Sequence, residues 1–115
     1  MTMKHAFLIM AHGSLPLLRV LLSMLDDERN DIFLHIDRKS DMLDGAEPLV
    51  LSKARLFLLE QRVDVRWGNL SQIKAEYVLF EEALKHGPYA YYHLLSGQDL
   101  PIKAQYYIHQ FFEEH

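Results

Sequence analysis

Tyr89-Ala90-Tyr91-Tyr92-His93-Leu94-Leu95-Ser96-Gly97-Gln98-Asp99-Leu100-Pro101-Ile102-Lys103 is the stretch on which the reading of the fold turns. Its first seven residues are aromatic and β-prone, as a buried strand requires, and the run stops abruptly in Ser96-Gly97-Gln98-Asp99 before Pro101 forbids further ladder pairing. In open α/β sheets ligands bind outside the carboxyl ends of strands, so a Ser-Gly-x-Asp loop at that position is where a site is expected. Gly97 admits close backbone approach, Asp99 offers an acceptor or a helix N-cap, and Pro101 suits a first helical turn. The same residues read equally well as a plain strand-to-helix connection with a capping Asp99.

Downstream, Ala104 to Phe112 reads as a further helix. Upstream, His86-Gly87-Pro88 is a helix stop, and behind it Leu70, Ile73, Tyr77, Phe80 and Leu84 form one apolar stripe, with Ala83 beside it. Gln72, Lys74, Glu76, Glu81, Glu82 and Lys85 occupy much of the rest, which predicts an amphipathic helix entered through Trp67-Gly68-Asn69. Arg62 to Trp67 alternates, with Val63, Val65 and Trp67 on one face, and Ala54 to Leu59 has the composition of a third strand. Met42 to Ser52, interrupted by Gly45 and Pro48, gives no clear pattern.

At the start of the chain, Lys4 to Ala11 is a continuous apolar run, the mark of a central strand covered on both faces. His12-Gly13-Ser14 ends it, and leucines recur at helical spacing from Leu15 to Leu25, with Ser14 as N-cap and Pro16 in the first turn. Asp31 to Ile36 is a second buried strand, so a parallel, right-handed β-α-β unit results. Asp37 follows that strand about 25 residues after the first loop, near where nucleotide-binding β-α-β units place the acid that reaches a ribose or base. Read as a solvent-facing loop carboxylate, it contributes about 1 kcal/mol or less to folding. It also reads simply as a cap on the turn that follows. His12-Gly13-Ser14 is not a Gly-x-Gly-x-x-Gly loop, so a dinucleotide cofactor is poorly supported.

The 115 residues, 50% of them hydrophobic, fit a single domain spanning 1–115 with strands and helices alternating, which predicts an α/β, Rossmann-like fold with a mostly parallel sheet. A formal net charge of -4 provides no basic field for nucleic acid, and no apolar run approaches the roughly 20 residues that span a bilayer. The absence of cysteine removes thiolate catalysis and cysteine-based zinc sites and suits a reducing compartment, so the cytoplasm is expected. Seven histidines remain, without a His-x-x-x-His pair on a recognisable helix.

Four ordered blocks, Ile9-Met10-Ala11-His12, His35-Ile36-Asp37-Arg38-Lys39-Ser40, Trp67-Gly68-x-x-Ser71-x-Ile73-x-Ala75 and Leu95-Ser96-Gly97-Gln98-Asp99-Leu100-Pro101-Ile102-Lys103, resemble the Core-2/I-branching β-1,6-N-acetylglucosaminyltransferases and their peptide-xylosyltransferase relatives. The resemblance implies the N-terminal half of a GT-A glycosyltransferase, holding the nucleotide of UDP-N-acetylglucosamine or another UDP-sugar for inverting transfer to a glycan acceptor. By position, Ile9, Met10 and Ala11 match the family's uridine-contacting segment, and Asp37, Arg38 and Lys39 match its second nucleotide-contacting segment. Trp67 stands where the family has another donor-site aromatic, although a large aromatic after a strand also reads as core. His12, Ser71, Gly97, Gln98 and Asp99 are implied as further donor-site or loop-structuring residues.

The family's catalytic Glu and its phosphate-neutralising basic residues match nothing up to His115, so the resemblance makes the chain the donor-binding part of a longer enzyme, with a peripheral membrane association open for that parent. There is no Asp-x-Asp, the usual metal-diphosphate pair of GT-A enzymes, and Asp99 with Gln98 offers too few hard ligands, so neither a metal nor any other cofactor is expected. A donor half of this kind should expose apolar surface and self-associate. A non-catalytic nucleotide-binding or protein-interaction module is the alternative.

Overall fold

The computed structural model describes residues 4–66 and 70–96. In chain order the elements are β1 (His5–Ala11), α1 (Leu15–Leu25), β2 (Asn30–Ile36), β3 (Arg55–Leu58), α2 (Leu70–His86) and β4 (Tyr91–Ser96). The four strands form one sheet in the order β3-β2-β1-β4, and all three pairings are parallel. The α/β, Rossmann-like arrangement expected from the sequence is the one that forms.

β1 and β2 are buried at every residue, which is why both read as unbroken apolar runs rather than alternating ones. Alternation sorts β1 onto two cores. Phe7, Ile9 and Ala11 join Ile32, Leu34 and Ile36 beneath Leu18, Leu21, Leu22 and Leu25 of α1. Ala6, Leu8 and Met10 join Phe33 beneath Ala75, Val78, Leu79 and Ala83 of α2. Each fully buried leucine of α1 contributes roughly 2 kcal/mol. Ser14 caps that helix as expected, its Oγ accepting from the Leu17 amide at 3.2 Å, while Gly13 takes the positive φ of 81° that the tight turn needs.

Three sequence expectations change. The large stripe of α2, from Leu70 to Leu84, faces away from the sheet, and the buried face is the smaller Ala75-Val78-Leu79-Ala83 set. Residues 62–66 form no strand, although Val63 and Val65 are buried as their alternation predicts. β4 starts at Tyr91 rather than Tyr89 and, among the described residues, lies at the margin of the sheet. Its side chains from Tyr91 to His93 are half-buried and Leu94 is exposed. The predicted helix from Ala104 to Phe112 lies outside the described residues.

Two aspartates fasten the connections. Asp26, at the C-cap of α1, accepts from the amides of Ser52, Lys53 and Ala54 and from the Ser52 hydroxyl at 2.7–2.9 Å, pinning the patternless segment before β3. Burial alone would raise its pKa, but these four bonds hold the carboxyl far below the usual range. Asp31, fully buried at the amino end of β2, accepts from Arg55, from the Tyr89 hydroxyl at 2.6 Å and from Lys4 at 3.3 Å. Again burial opposes ionisation, and the bonds from Arg55, Tyr89 and Lys4 outweigh it, so Asp31 is a carboxylate at neutral pH while the Tyr89 proton is held more tightly than usual.

Removing Asp31 leaves the Tyr89 hydroxyl and two cations without their acceptor. Asp31→Ala should therefore cost about 3 kcal/mol, the low end for breaking a buried pair because Lys4 and Arg55 can rehydrate. Because the folded pKa is depressed, this contribution is present above the ordinary Asp value and disappears as pH falls through the lowered one. Urea unfolding of wild type and variant between pH 7 and pH 3 checks both points. A loss under about 1 kcal/mol would show that the cluster adds little to stability.

Candidate nucleotide site at the carboxyl edge of the sheet

The chain winds in two directions from β1. From β1 it moves through α1 to β2 on one side, whereas from β3 it returns through α2 to β4 on the other, with the two helices on opposite faces. Connections therefore diverge between β1 and β4, whose carboxyl ends meet where Met10 pairs with Ser96. That is the topological switch point at which open α/β sheets bind ligands. Ala11, His12 and the amino end of α1 border it directly, and Asp37 lies one strand further along the same edge.

Asp37 is tied to β1 by its own amide, which donates to the Ala11 carbonyl at 2.9 Å. Its carboxylate is nearly buried, at 8% side-chain exposure. Oδ1 accepts from the Lys39 amide at 3.0 Å, the Val65 amide at 3.4 Å and the Lys39 ammonium at 3.2 Å, whereas among the described residues Oδ2 receives only that ammonium at 3.1 Å. Burial would raise its pKa, but the Lys39 amide and side chain, with the Val65 amide, lower it, so the group is ionised at neutral pH. The expectation of a solvent-facing carboxylate that adds little to stability is corrected. Asp37 caps its own turn, with Ser40 N donating to its carbonyl at 2.8 Å, and it also anchors the segment 62–66 through the Val65 amide.

Lys39 spends its charge locally. Its ammonium lies 2.6 Å from Asp64 and also donates to the Val65 carbonyl, and the Asp64 bond is the main reason its pKa rises. The bond from Lys39 likewise lowers the Asp64 pKa. Arg38, in contrast, is exposed, and among the described residues its side chain makes no hydrogen bond or ion pair, only its amide donating to the Val63 carbonyl at 3.1 Å.

The other sequence candidates divide clearly. Ile9, Met10 and Ala11 are core side chains with 4% exposure or less, so what β1 presents at this edge is backbone. His12 is half-buried just beyond it. Ser71, in the first turn of α2, staples the preceding segment by accepting from the Arg66 amide at 2.7 Å and donating to its carbonyl at 3.3 Å. Trp67, Gly97, Gln98 and Asp99 lie outside the described residues.

Three residues of the site were not singled out from the sequence. The Arg62 guanidinium clamps the exit of β2 through the carbonyls of Ile36, Asp37 and Ser40 at 2.7–3.0 Å. Asp64 balances Lys39. His35, fully buried, accepts from the Val63 amide through Nε2 at 2.9 Å, while its Nδ1 has no hydrogen-bond partner among the described residues. The alternation of Arg62-Val63-Asp64-Val65-Arg66 was the available signal, since it puts the three charged residues on one face and the two valines on the other.

A cleft of about 500 Å³ lies elsewhere, between β3 and α2, lined among others by Phe57, Glu60, Glu81 and Lys85. It opens at the carboxyl end of β3, the outer strand of the described sheet, two strands away from the β1/β4 switch point. Among the described residues no three acidic or histidine side chains group as metal ligands, and no helix is long and apolar enough to cross a membrane.

A family model described as Core-2/I-branching enzyme matches residues 5–115. The chain belongs to the Core-2/I-branching enzyme family. This is a family of glycosyltransferases, enzymes that pass a sugar from an activated donor to an acceptor glycan, and the match covers every strand and helix described above. Comparison with curated proteins gave no match.

Two outcomes follow from the Asp37 cluster. Asp37→Ala should cost about 2 kcal/mol, because two backbone amides and an ammonium lose their acceptor, and a thermal shift equivalent to less than about 0.5 kcal/mol would contradict that geometry. Burial lowers the pKa of His35, so folding favours its neutral form. That contribution is complete above the ordinary His value of about 6.5 and is lost as pH falls below it. Histidine ring signals followed by NMR should show His35 titrating below the ordinary His value of about 6.5, and titration at or above it would refute the assignment.

Proposed function

We propose that this edge holds the nucleotide of a UDP-sugar, and that the chain supplies donor binding for an inverting glycosyltransferase whose sugar is N-acetylglucosamine. The observation that carries the reading is the juxtaposition at one sheet edge of the β1/β4 switch point with an ionised Asp37 whose Oδ2 retains acceptor capacity. A carboxylate held in that state accepts from a ribose hydroxyl or from the uracil N–H without first having to be desolvated or reoriented. Family membership supports the donor class, and the positions of Ile9 to Ala11 at the end of β1 support a backbone contribution to the uridine pocket.

The diphosphate of such a donor needs cations as its bond to the sugar breaks. The uncommitted guanidinium of Arg38 is the described group placed to contribute. Lys39 already places a protein cation against both Asp37 and Asp64.

Isothermal titration with UDP, UMP and ADP tests the proposal. UDP should bind at least about tenfold more tightly than ADP, and Arg38→Ala should weaken UDP while leaving the melting temperature unchanged, because exposed substitutions usually fall within ±0.5 kcal/mol. Trp67 is the sole tryptophan, so its fluorescence should respond to UDP if it faces the donor. ADP binding as tight as UDP would defeat the uridine assignment.

A further inference from the structure

The apolar row on α2 that faces away from the sheet runs the length of the helix. Leu70, Ile73, Tyr77, Phe80 and Leu84 are 79%, 61%, 66%, 37% and 66% exposed. Scattered exposed apolar residues need no explanation, but an unbroken row does. Its steps are three, four, three and four residues, the a/d repeat of a coiled-coil seam, whereas the sheet-facing residues of the same helix are Ala75, Val78, Leu79 and Ala83.

We propose that this row docks on α2 of a second copy of the chain, with the two helices antiparallel about a two-fold axis. The flanking charges select both partner and direction. With Leu70, Tyr77 and Leu84 at a positions, Lys74 and Glu81 occupy e positions, and Glu76 and Ala83 occupy g positions. In a parallel pair Glu76 of one copy would face Glu81 of the other, a repulsion that the two-fold repeats. In an antiparallel pair that sets Tyr77 against Phe80 and Ile73 against Leu84 of the second copy, each Lys74 faces a Glu81 and the Glu76–Glu81 repulsion is absent. Both members of the Lys74–Glu81 pair have side chains without an ion pair among the described residues, while Glu82, which points off the seam, is already engaged by Lys85 and His86. Such an isologous contact closes on itself and does not propagate. Two heptads make a small interface, so the association is concentration-dependent and transient in kind.

Sedimentation velocity of the 115-residue chain over a wide concentration range, with Lys74→Glu, Glu81→Lys and the double exchange, decides the matter. The wild type should pass from monomer to dimer as concentration rises. Each single exchange should weaken the dimer about tenfold and the double exchange should restore it, with melting temperatures unchanged because both positions are exposed. Stronger dimerisation of Glu81→Lys would overturn the antiparallel arrangement in favour of a parallel one. A wild type that stays monomeric throughout would overturn the proposal altogether, since the row would then be covered by another part of the chain or by a different partner. Dimers indifferent to both exchanges would place the contact on another surface. None of these outcomes depends on the nucleotide reading, because the row lies on the far side of α2 from the sheet.

Discussion

β1 has no face of its own toward solvent, and the architecture follows from satisfying it on four sides. Its backbone is paired by β2 on one edge and β4 on the other, and its alternate side chains enter two separate cores. A strand apolar on both faces is stable only when each face is covered, which forces one helix above and one below. Because crossovers between parallel strands are right-handed, covering opposite faces means winding in opposite directions from β1. The switch point at its carboxyl end is therefore a consequence of how the strand is buried.

The polar groups around this core are distributed by end. At the amino edge Asp31 gathers Lys4, Arg55 and Tyr89 into a fully engaged cluster, and its acceptor capacity is consumed by the protein itself. At the carboxyl edge Asp37 is built similarly but less completely, since among the described residues Oδ2 receives a single ammonium. A buried carboxylate with every lone pair filled stabilises and specifies the fold, whereas one with capacity to spare, at the edge where strands end, is able to bind. That difference in saturation, more than the identity of the residue, separates scaffold from site.

Much of the fold was legible because it rests on local chemistry. The unbroken apolar runs of β1 and β2, the Ser14 cap and the leucine repeat of α1 each specify their element without reference to distant residues. The facing of α2 was not legible, because the helix carries two apolar stripes and the larger one attracts the assignment. The structure buries the smaller stripe, whose alanines let the helix backbone approach Ala6, Leu8 and Met10 closely. Asp37 was legible as a position but not as an environment. Its burial comes from Val65 and Lys39 closing over it, and the contact with Val65 spans 28 residues, a separation that no periodicity reports.

The dual use of Asp37 has a physical rationale. An acceptor that must hold a hydroxyl at a fixed place gains from having its own rotamer fixed beforehand, and the amides of Lys39 and Val65 do that at Oδ1 while Oδ2 is left to the Lys39 ammonium. Arg62 reinforces the arrangement from behind by clamping the Ile36, Asp37 and Ser40 carbonyls, so the turn cannot relax when the carboxylate changes partner. The buried cost of ionising Asp37 is thus met by folding rather than by the ligand. On this account a residue that reads as a turn cap and one that reads as a nucleotide acceptor are the same residue, because the first role is what makes the second one rigid.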